Sequence, residues 1–100
     1  MEVTFRSNKL EACYRNSQKG RRAWGDDAAK RYIQRIDLLQ EAENMLEVYE
    51  LPGLRCHPLK GKREGQYAIT LIEPWRLVFV LTGEKAEIIR IEEVSKHYGD

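Results

Sequence analysis

The sequence predicts a small α+β protein in which two N-terminal helices pack on a twisted antiparallel sheet of about three to five strands. Three observations predict this class. Apolar residues follow helical spacing in the first half of the chain and alternate with polar residues, as in strands, in the second half. The change falls near Leu51–Gly53. The chain has 100 residues, the usual size of one domain, and no linker or repeat divides it. We therefore expect residues 1–100 to form a single domain.

The N-terminal quarter predicts one short strand and one helix. Residues 3–5 alternate apolar and polar side chains, which favours a strand. Asn8, with Glu11 three residues later, is typical of a helix start, and this helix is expected to end near Gly20. A basic and aromatic loop is then expected over residues 19–25.

The strongest helical pattern lies between residues 26 and 46. Asp26 is expected to be its N-cap, and apolar residues follow at intervals of three and four. These residues form one face that must be buried: Ala29, Tyr32, Ile33, Ile36, Leu39, Ala42 and Leu46. Met45, Val48 and Tyr49 continue the apolar content, either in the same helix or in a closing turn.

The second half predicts a meander of strands followed by a polar tail. Three strands are expected, at Gln66–Ile72, Trp75–Leu81 and Ala86–Ile91. Pro74 marks the turn between the first two, and residues 82–85 form a hairpin turn before the third. Residues 94–100 are polar and are expected to be the tail.

Composition limits the classes of function. The 17 basic and 16 acidic residues leave a net charge of +1, so bulk charge predicts no partner. Two cysteines, Cys13 and Cys56, are too few for a zinc site by themselves and are expected to be reduced thiols of a cytoplasmic protein. The N-terminal residues lack the apolar core of a signal peptide, and no apolar run approaches the roughly 18 residues of a membrane span. We therefore expect a soluble protein with no membrane partner.

Positive charge is concentrated between Arg55 and Arg63, where four basic side chains and His57 occur with no acid. Such a run fits both a solvated loop and a nucleic-acid contact. The common signatures GxGxxG, GxSxG, HExxH and the P-loop are absent from the sequence. A metal site built on His57 and His97 alone would need carboxylates that no spacing supplies, so we expect neither a metal nor another cofactor.

RNA can be cleaved without a metal by a base for the 2′-OH, cations for the phosphate and an acid for the leaving 5′-oxygen. His57, Lys60, Arg76 and His97 have the side chains for these roles. Each also has a structural interpretation, because a histidine before a proline and a lysine before a glycine are ordinary loop residues. Arg76 could instead form a surface salt bridge, with Glu64, Glu87 or Glu92.

The segment Leu51–Ile69 resembles a segment of the HigB-like toxins, the "plasmid maintenance killer" proteins of the RelE/ParE superfamily. It reads HPLKG over His57–Gly61, followed by a basic pair, a glycine and an aromatic strand. The strand Trp75–Phe79 is similar to the W-R-I-x-F strand of that family. The resemblance covers residues 51–92, and the helix–helix–sheet order of residues 1–50 agrees with it.

This resemblance implies the RelE/ParE-like (microbial RNase-like) α+β fold and metal-independent cleavage of mRNA, typically in the ribosomal A site. It also implies a type II toxin–antitoxin system with a HigA-like helix-turn-helix antitoxin. The toxin itself would contact operator DNA only indirectly, through this antitoxin. On the motif matches, His57 and Lys60 carry over as active-site residues and Arg76 as a phosphate contact. Their basic neighbours are expected to contact RNA: Arg55, Lys62 and Arg63.

The C-terminus departs from the pattern of the family. Many relatives end the last strand with an acidic residue, a tyrosine and a histidine in succession. Here Glu93 stands in the acidic position, but His97 and Tyr98 come later and in reversed order. We hypothesise that His97 or Tyr98 folds back to supply the missing acid or base, with Tyr98 also meeting RNA. The alternative is a slow site formed by the HPLKG residues alone, or a degenerate toxin.

Two rival functions stay open. A ParE-like toxin would inhibit DNA gyrase and cut no RNA, so induction would change DNA relaxation and leave mRNA intact. A non-catalytic module would dock a basic sheet edge on RNA or protein, and removing charge would weaken binding without abolishing a reaction. The set of His57, Lys60 and Arg76 favours nuclease chemistry.

Overall fold

Helices and strands separate along the chain as the sequence predicts. The computed structural model describes residues 1–97, and all structural statements concern those residues. In chain order, its elements are β1 (Glu2–Phe5), α1 (Asn8–Arg15), α2 (Ser17–Trp24), α3 (Asp26–Glu41), α4 (Met45–Glu50), β2 (His57–Pro58), a short 3₁₀ helix (Gly61–Arg63), β3 (Gln66–Ile72), β4 (Trp75–Thr82) and β5 (Ile88–Lys96). The α+β prediction is confirmed, with four helices in the described part of the chain instead of the two expected.

The sheet is mixed, whereas the sequence predicted an antiparallel one. Its strand order is β1-β5-β4-β3-β2. The strands β2 to β5 pair antiparallel, but β1 runs parallel to β5, with Glu2 opposite Ile88 and Phe5 opposite Ile91. Two parallel neighbouring strands need a long connection between them, and here the helices and the strands β2 to β4 form the connection from β1 to β5. The alternation of residues 3–5 indicates a strand but carries no information on its direction.

The first predicted helix is in fact two helices. Asn16 interrupts it with an extended backbone (φ −135°, ψ 105°), so the single helix expected from residue 8 to about residue 20 is wrong. The Asn16 side chain accepts a hydrogen bond from the backbone N–H of Gln18 (3.0 Å), and thereby starts the second helix. Asparagine is favoured at such positions because its side chain replaces the missing backbone partner.

The loop expected over residues 19–25 is also wrong, because α2 continues through Trp24. It ends at Gly25, whose φ of +86° is a conformation that glycine adopts without steric cost. Gly25 is also the N-cap of α3, so Asp26 is the first helical residue and not the cap. The Asp26 carboxylate instead lies 2.7 Å from Nε of Arg21.

The apolar face of α3 packs on the core as predicted. Its fully buried members include Tyr32, Ile36 and Leu39. They pack with buried residues of the sheet, among them Ile69, Leu71, Leu77, Phe79, Ile89 and Ile91. Leu46, predicted to be buried, is 67% exposed. The helix ends at Ala42, which is extended (ψ 141°), and α4 begins after Asn44 with a new orientation that buries Val48 instead.

Tyr32 joins α3 to α1 through a buried polar contact. Its hydroxyl donates to the Leu10 carbonyl over 2.7 Å, and its ring is fully buried. Burial raises the pKa of Tyr32, so the hydroxyl stays protonated and remains a donor. Among the helices of residues 1–97, none is long and apolar enough to cross a membrane.

We expect Tyr32→Phe to lower the free energy of unfolding by about 1–2 kcal/mol, because it removes the buried hydrogen bond from the Tyr32 hydroxyl to the Leu10 carbonyl. Urea denaturation followed by circular dichroism measures this change. Tyr14→Phe is the matched control, since the Tyr14 hydroxyl bonds Asp37 where solvent can replace it. Equal losses in the two variants would contradict a specific role for the buried bond.

Candidate active site

The helices cover one face of the sheet, and the candidate site lies on the other. Leu77 is fully buried on the helix-covered face. Because side chains alternate along a strand, its neighbour Arg76 points to the opposite face. Arg76 pairs with Thr70 of β3, and His57 pairs with Ala68 two residues away on the same strand. The register therefore places His57 and Arg76 on the same face.

The predicted catalytic residues converge on one groove of this face. The groove has a volume of about 500 Å³ and is lined by His57, Pro58, Leu59, Lys60, Arg63, Arg76 and His97. An adjoining cavity of about 320 Å³ shares His57, Arg76 and His97 and extends to Arg55 and Trp75. The two histidines and Arg76 thus form a ridge between two clefts.

His57 is oriented by the backbone of its own segment. Its Nδ1 atom lies 2.8 Å from the Arg55 carbonyl oxygen. A carbonyl oxygen can only accept a hydrogen bond, so Nδ1 carries the proton. Neutral His57 then has its lone pair on Nε2, which is the form that a general base requires.

His97 has the opposite arrangement. Nη1 of Arg76 lies 2.9 Å from Nδ1 of His97. A guanidinium only donates, so Nδ1 of His97 accepts and the neutral ring carries its proton on Nε2. The two histidines of the groove therefore hold complementary tautomers: Nε2 of His57 can accept a proton, and Nε2 of His97 can donate a hydrogen bond.

Arg76 is a partly buried cation in a cationic setting. Burial lowers the pKa of its guanidinium, Arg63 lowers it further, and Glu93 opposes the change. An arginine still remains charged near neutral pH, since its pKa starts above about 12. Arg63 forms an ion pair with Glu93. Within residues 1–97, Nε of Arg76 and Nη1 of Arg63 are buried without a hydrogen-bond partner. Both guanidinium groups also line the groove, and guanidinium is a group that binds phosphate.

The salt bridge with Glu64, Glu87 or Glu92 considered for Arg76 is replaced by its bond to His97. Glu92 instead pairs with Arg90 at 2.8 Å and lies 3.9 Å from Arg6. The Glu92 carboxylate is therefore engaged by other arginines, and Arg76 bonds His97, the residue that follows β5.

The other predicted RNA contacts lie around the rim. Arg55 is exposed, and its guanidinium lies 3.6 Å from the Glu73 carboxylate. Lys62 is exposed on the 3₁₀ helix, whereas Arg63 of the same helix lines the groove. Tyr98 lies outside the described residues. The contact of these side chains with RNA stays a prediction.

The polar tail expected from residue 94 is wrong, because β5 continues to Lys96. Lys96 pairs with Trp75, and its ammonium lies 5.3 Å from the centre of the Trp75 ring. The next backbone N–H, that of His97, donates to the Pro74 carbonyl over 2.7 Å. His97 therefore reaches the groove by continuing the strand, whereas the sequence suggested that it folds back. Its part in catalysis stays a prediction.

Two neighbours of the groove have properties that sequence patterns did not indicate. Glu93 of β5 forms an ion pair with Arg63. The sequence pattern does not indicate this pair, because the pairing of β4 with β5 shifts by one residue: Val78 lies opposite Glu93, but Phe79 lies opposite Ile91. Cys56 precedes His57, and burial raises the pKa of its thiol to about 11. Such a thiol stays protonated near neutral pH, so it is not an activated nucleophile.

Comparison with known proteins gives one sequence relative and several structural ones. No protein-family model matches the chain. It is 37% identical over 59 residues to Endoribonuclease HigB of Proteus vulgaris, a match that covers 57% of this chain and 64% of that relative. The match thus spans somewhat less than two thirds of the length of the relative.

The structural likenesses extend over nearly the whole chain. The YoeB/ParE toxin from Agrobacterium tumefaciens superposes with a TM-score of 0.58 at 16% identity, covering 98% of this chain and 100% of that one. A chain of the DinJ–YafQ toxin–antitoxin complex from E. coli gives a TM-score of 0.53 at 20% identity, covering 96% and 91%. These low identities establish the fold alone: the chain has the α+β fold of the RelE/ParE-type toxins, as the sequence predicted.

Proposed function

We propose that this chain is the toxin of a type II toxin–antitoxin system and that it cleaves mRNA without a metal. The observation that carries the proposal is the convergence of His57, Lys60, Arg76 and His97 on one groove of the helix-free face. The 37% identity to an endoribonuclease over 59 residues supports RNA cleavage as the reaction. The shared fold supports the kind of protein.

In the proposed reaction, Nε2 of His57 removes the proton of the ribose 2′-OH. The 2′-oxygen attacks phosphorus and the bond to the 5′-oxygen breaks, so the products are a 2′,3′-cyclic phosphate and a 5′-hydroxyl. The Nε2–H of His97 donates a hydrogen bond to the departing 5′-oxygen and stabilises its charge; a proton from water completes the 5′-hydroxyl, and His57 returns its proton to the solvent. The tautomers fixed by the Arg55 carbonyl and by Arg76 support this division of roles, because neutral His57 has a lone pair on Nε2 and neutral His97 has a hydrogen-bond donor there.

The cations of the groove stabilise the charge that grows on the phosphate during attack. Arg76 presents a guanidinium held by its bond to His97, and Arg63 presents one held by Glu93. Lys60 adds an exposed ammonium to the lining of the groove, directly before the 3₁₀ helix. Fixed cations of this kind are most effective when they need no rearrangement as the charge develops.

The proposal includes a cognate antitoxin that silences the groove. The structural match to a toxin–antitoxin complex supports such a partner. The proposed antitoxin is HigA-like and the proposed cleavage occurs in the ribosomal A site, as the resemblance over residues 51–92 implies. The proposed activity is therefore cytoplasmic, since mRNA is translated there.

The test is a short induction of the chain in bacteria that lack its antitoxin, with mapping of mRNA 5′ ends. Wild type should create new in-frame ends within coding regions. Lys60→Ala should reduce them about ten- to hundredfold, because one hydrogen bond to a charged group contributes about 1.5–3 kcal/mol. Lys30→Ala is the matched control, since Lys30 is an exposed lysine of α3 on the other side of the sheet.

The outcomes separate the candidate functions. New ends that are lost with Lys60→Ala and retained with Lys30→Ala would support the nuclease. Growth arrest without new mRNA ends would contradict the nuclease function. A DNA relaxation assay would then test whether the chain inhibits gyrase. A full set of ends in Lys60→Ala would remove Lys60 from the site.

A further inference from the structure

The segment before β2 contains an extra residue at Arg55. His57 pairs with Ala68, and the Leu59 N–H donates to the Gln66 carbonyl over 2.8 Å. Continued in this register, the Thr70 N–H would donate to the carbonyl of Arg55. It donates instead to the carbonyl of Leu54 over 2.7 Å. Arg55 is therefore the additional residue of a β-bulge.

The backbone of Arg55 shows the same departure from a regular strand. Its φ is +53°, a left-handed conformation that is uncommon for residues other than glycine. The fully buried Leu54 anchors the chain directly before it, and the pairing of His57 anchors the chain directly after it. The bulge is thus held from both sides, and the exposed Arg55 side chain is not what holds it.

The bulge changes the partner of one carbonyl. Because Thr70 takes the carbonyl of Leu54, the carbonyl of Arg55 does not join the ladder at that position and instead accepts from Nδ1 of His57 at 2.8 Å. Bulges next to functional sites often re-aim a group in this way. A hydrogen bond to one ring nitrogen also decides which nitrogen carries the proton.

We propose that the bulge at Arg55 makes its backbone a positioning element for His57, fixing the proton on Nδ1 and aiming the Nε2 lone pair into the groove. The inference rests on the proposed function, in which His57 is the base. It assigns Arg55 a second role that is carried by its carbonyl and is independent of its guanidinium. Substitutions can therefore separate the two roles.

The test compares Arg55→Gly with Arg55→Val. Both remove the guanidinium, so any loss of RNA contact is common to them. Glycine adopts a positive φ freely, whereas the β-branched valine is strongly disfavoured there and drives the residue towards the extended region. The extended backbone would return the carbonyl to the ladder and release His57.

The first readout is the tautomer of His57 in the absence of RNA. Ring ¹⁵N–¹H correlation spectra of the untagged chain, at a pH where the ring is neutral, contain signals from only two histidines, and His97→Gln assigns them. We expect the proton on Nδ1 in wild type and in Arg55→Gly, and a shift towards Nε2 in Arg55→Val. The second readout is cleavage, expected to be about ten- to hundredfold slower in Arg55→Val than in Arg55→Gly, as when an orienting hydrogen bond is lost.

The outcomes distinguish this inference from the proposed function. A neutral His57 with its proton on Nε2 in wild type would overturn the inference, and this spectrum decides even where Arg55→Val does not fold. Equal tautomers and equal rates in the two variants would overturn it as well. An Nδ1 proton without any RNA cleavage would instead uphold the positioning and remove the nuclease.

Discussion

His57→Ala is expected to slow RNA cleavage by about 10²–10⁴-fold, the contribution typical of a positioned general base. The reason is that neutral His57 holds its lone pair on Nε2, on the wall of the groove. Without the ring, only water is left to take the proton of the ribose 2′-OH. The measurement is the rate of cleavage of a defined RNA by purified chain, with translating ribosomes supplied where the reaction needs them.

The controls for His57→Ala separate chemistry from folding. His57 is exposed, so its loss should change the free energy of unfolding by less than about 0.5 kcal/mol. Free imidazole in the buffer should restore part of the rate, because the truncated side chain leaves room in an open groove. An unchanged rate, or a large loss of stability with no rescue, would count against His57 as the base.

Arg76→Ala is expected to slow cleavage by about 10²–10³-fold, corresponding to about 3–4 kcal/mol of transition-state stabilisation from one fixed donor. Two effects combine in this variant. The phosphate loses a guanidinium that burial has partly desolvated, and His97 loses the bond that holds its tautomer. Arg76→Lys should fall between wild type and Arg76→Ala, because an ammonium keeps the charge and loses the fork of donors.

A double-variant comparison tests whether Arg76 acts partly through His97. Side chains that share a hydrogen bond give effects that do not add in free energy. Arg76→Ala combined with His97→Ala should therefore be faster than the product of the two single losses predicts. Strict multiplication would show that the two residues act independently, and an unchanged rate in His97→Ala would remove His97 from the mechanism. Weaker binding of RNA with an unchanged rate at saturation would make Arg76 a binding residue only.

Periodic segments were the part of the fold that the sequence predicted well. The strand Gln66–Ile72 has the predicted bounds, because its alternation is uninterrupted and turn residues flank it. The buried face of α3 is correct as far as the helix extends. The prediction that Leu46 is buried was wrong, because the helical spacing of apolar residues continues past Ala42, where the helix itself ends.

The predicted helix boundaries were wrong where a single residue ends one helix and starts the next. Asn16 ends α1 and starts α2, and Gly25 ends α2 and starts α3. Gly25 also suits a loop, so the sequence alone favoured a loop over residues 19–25, and its apolar spacing did not indicate the break at Asn16. The side-chain bond of Asn16 to Gln18 and the packing of the helices on the core decide the outcome.

The candidate site was predicted as a set of side chains but not as a geometry. Lys60 and Arg76 were found through motif resemblance, and the structure lines one groove with both. The carbonyl of Arg55 and the carboxylate of Glu93 were not found in these roles, since each depends on an irregularity in strand pairing. Bulges and register shifts arise from three-dimensional fit, and the alternation of residue types conceals them.

The pairing of β1 with β5 has a consequence for the time at which the groove exists. Glu2 lies opposite Ile88, so β1 is synthesised long before β5 and lacks this partner until β5 has been made. β5 also carries Glu93 and leads into His97, so the ion pair of Arg63 with Glu93 and the bond of Arg76 to His97 form only when this strand joins the sheet. Contacts so distant along the chain form late and slow folding. The residues of α1 to α4 are therefore synthesised long before the groove can form, because the groove needs β5 in place.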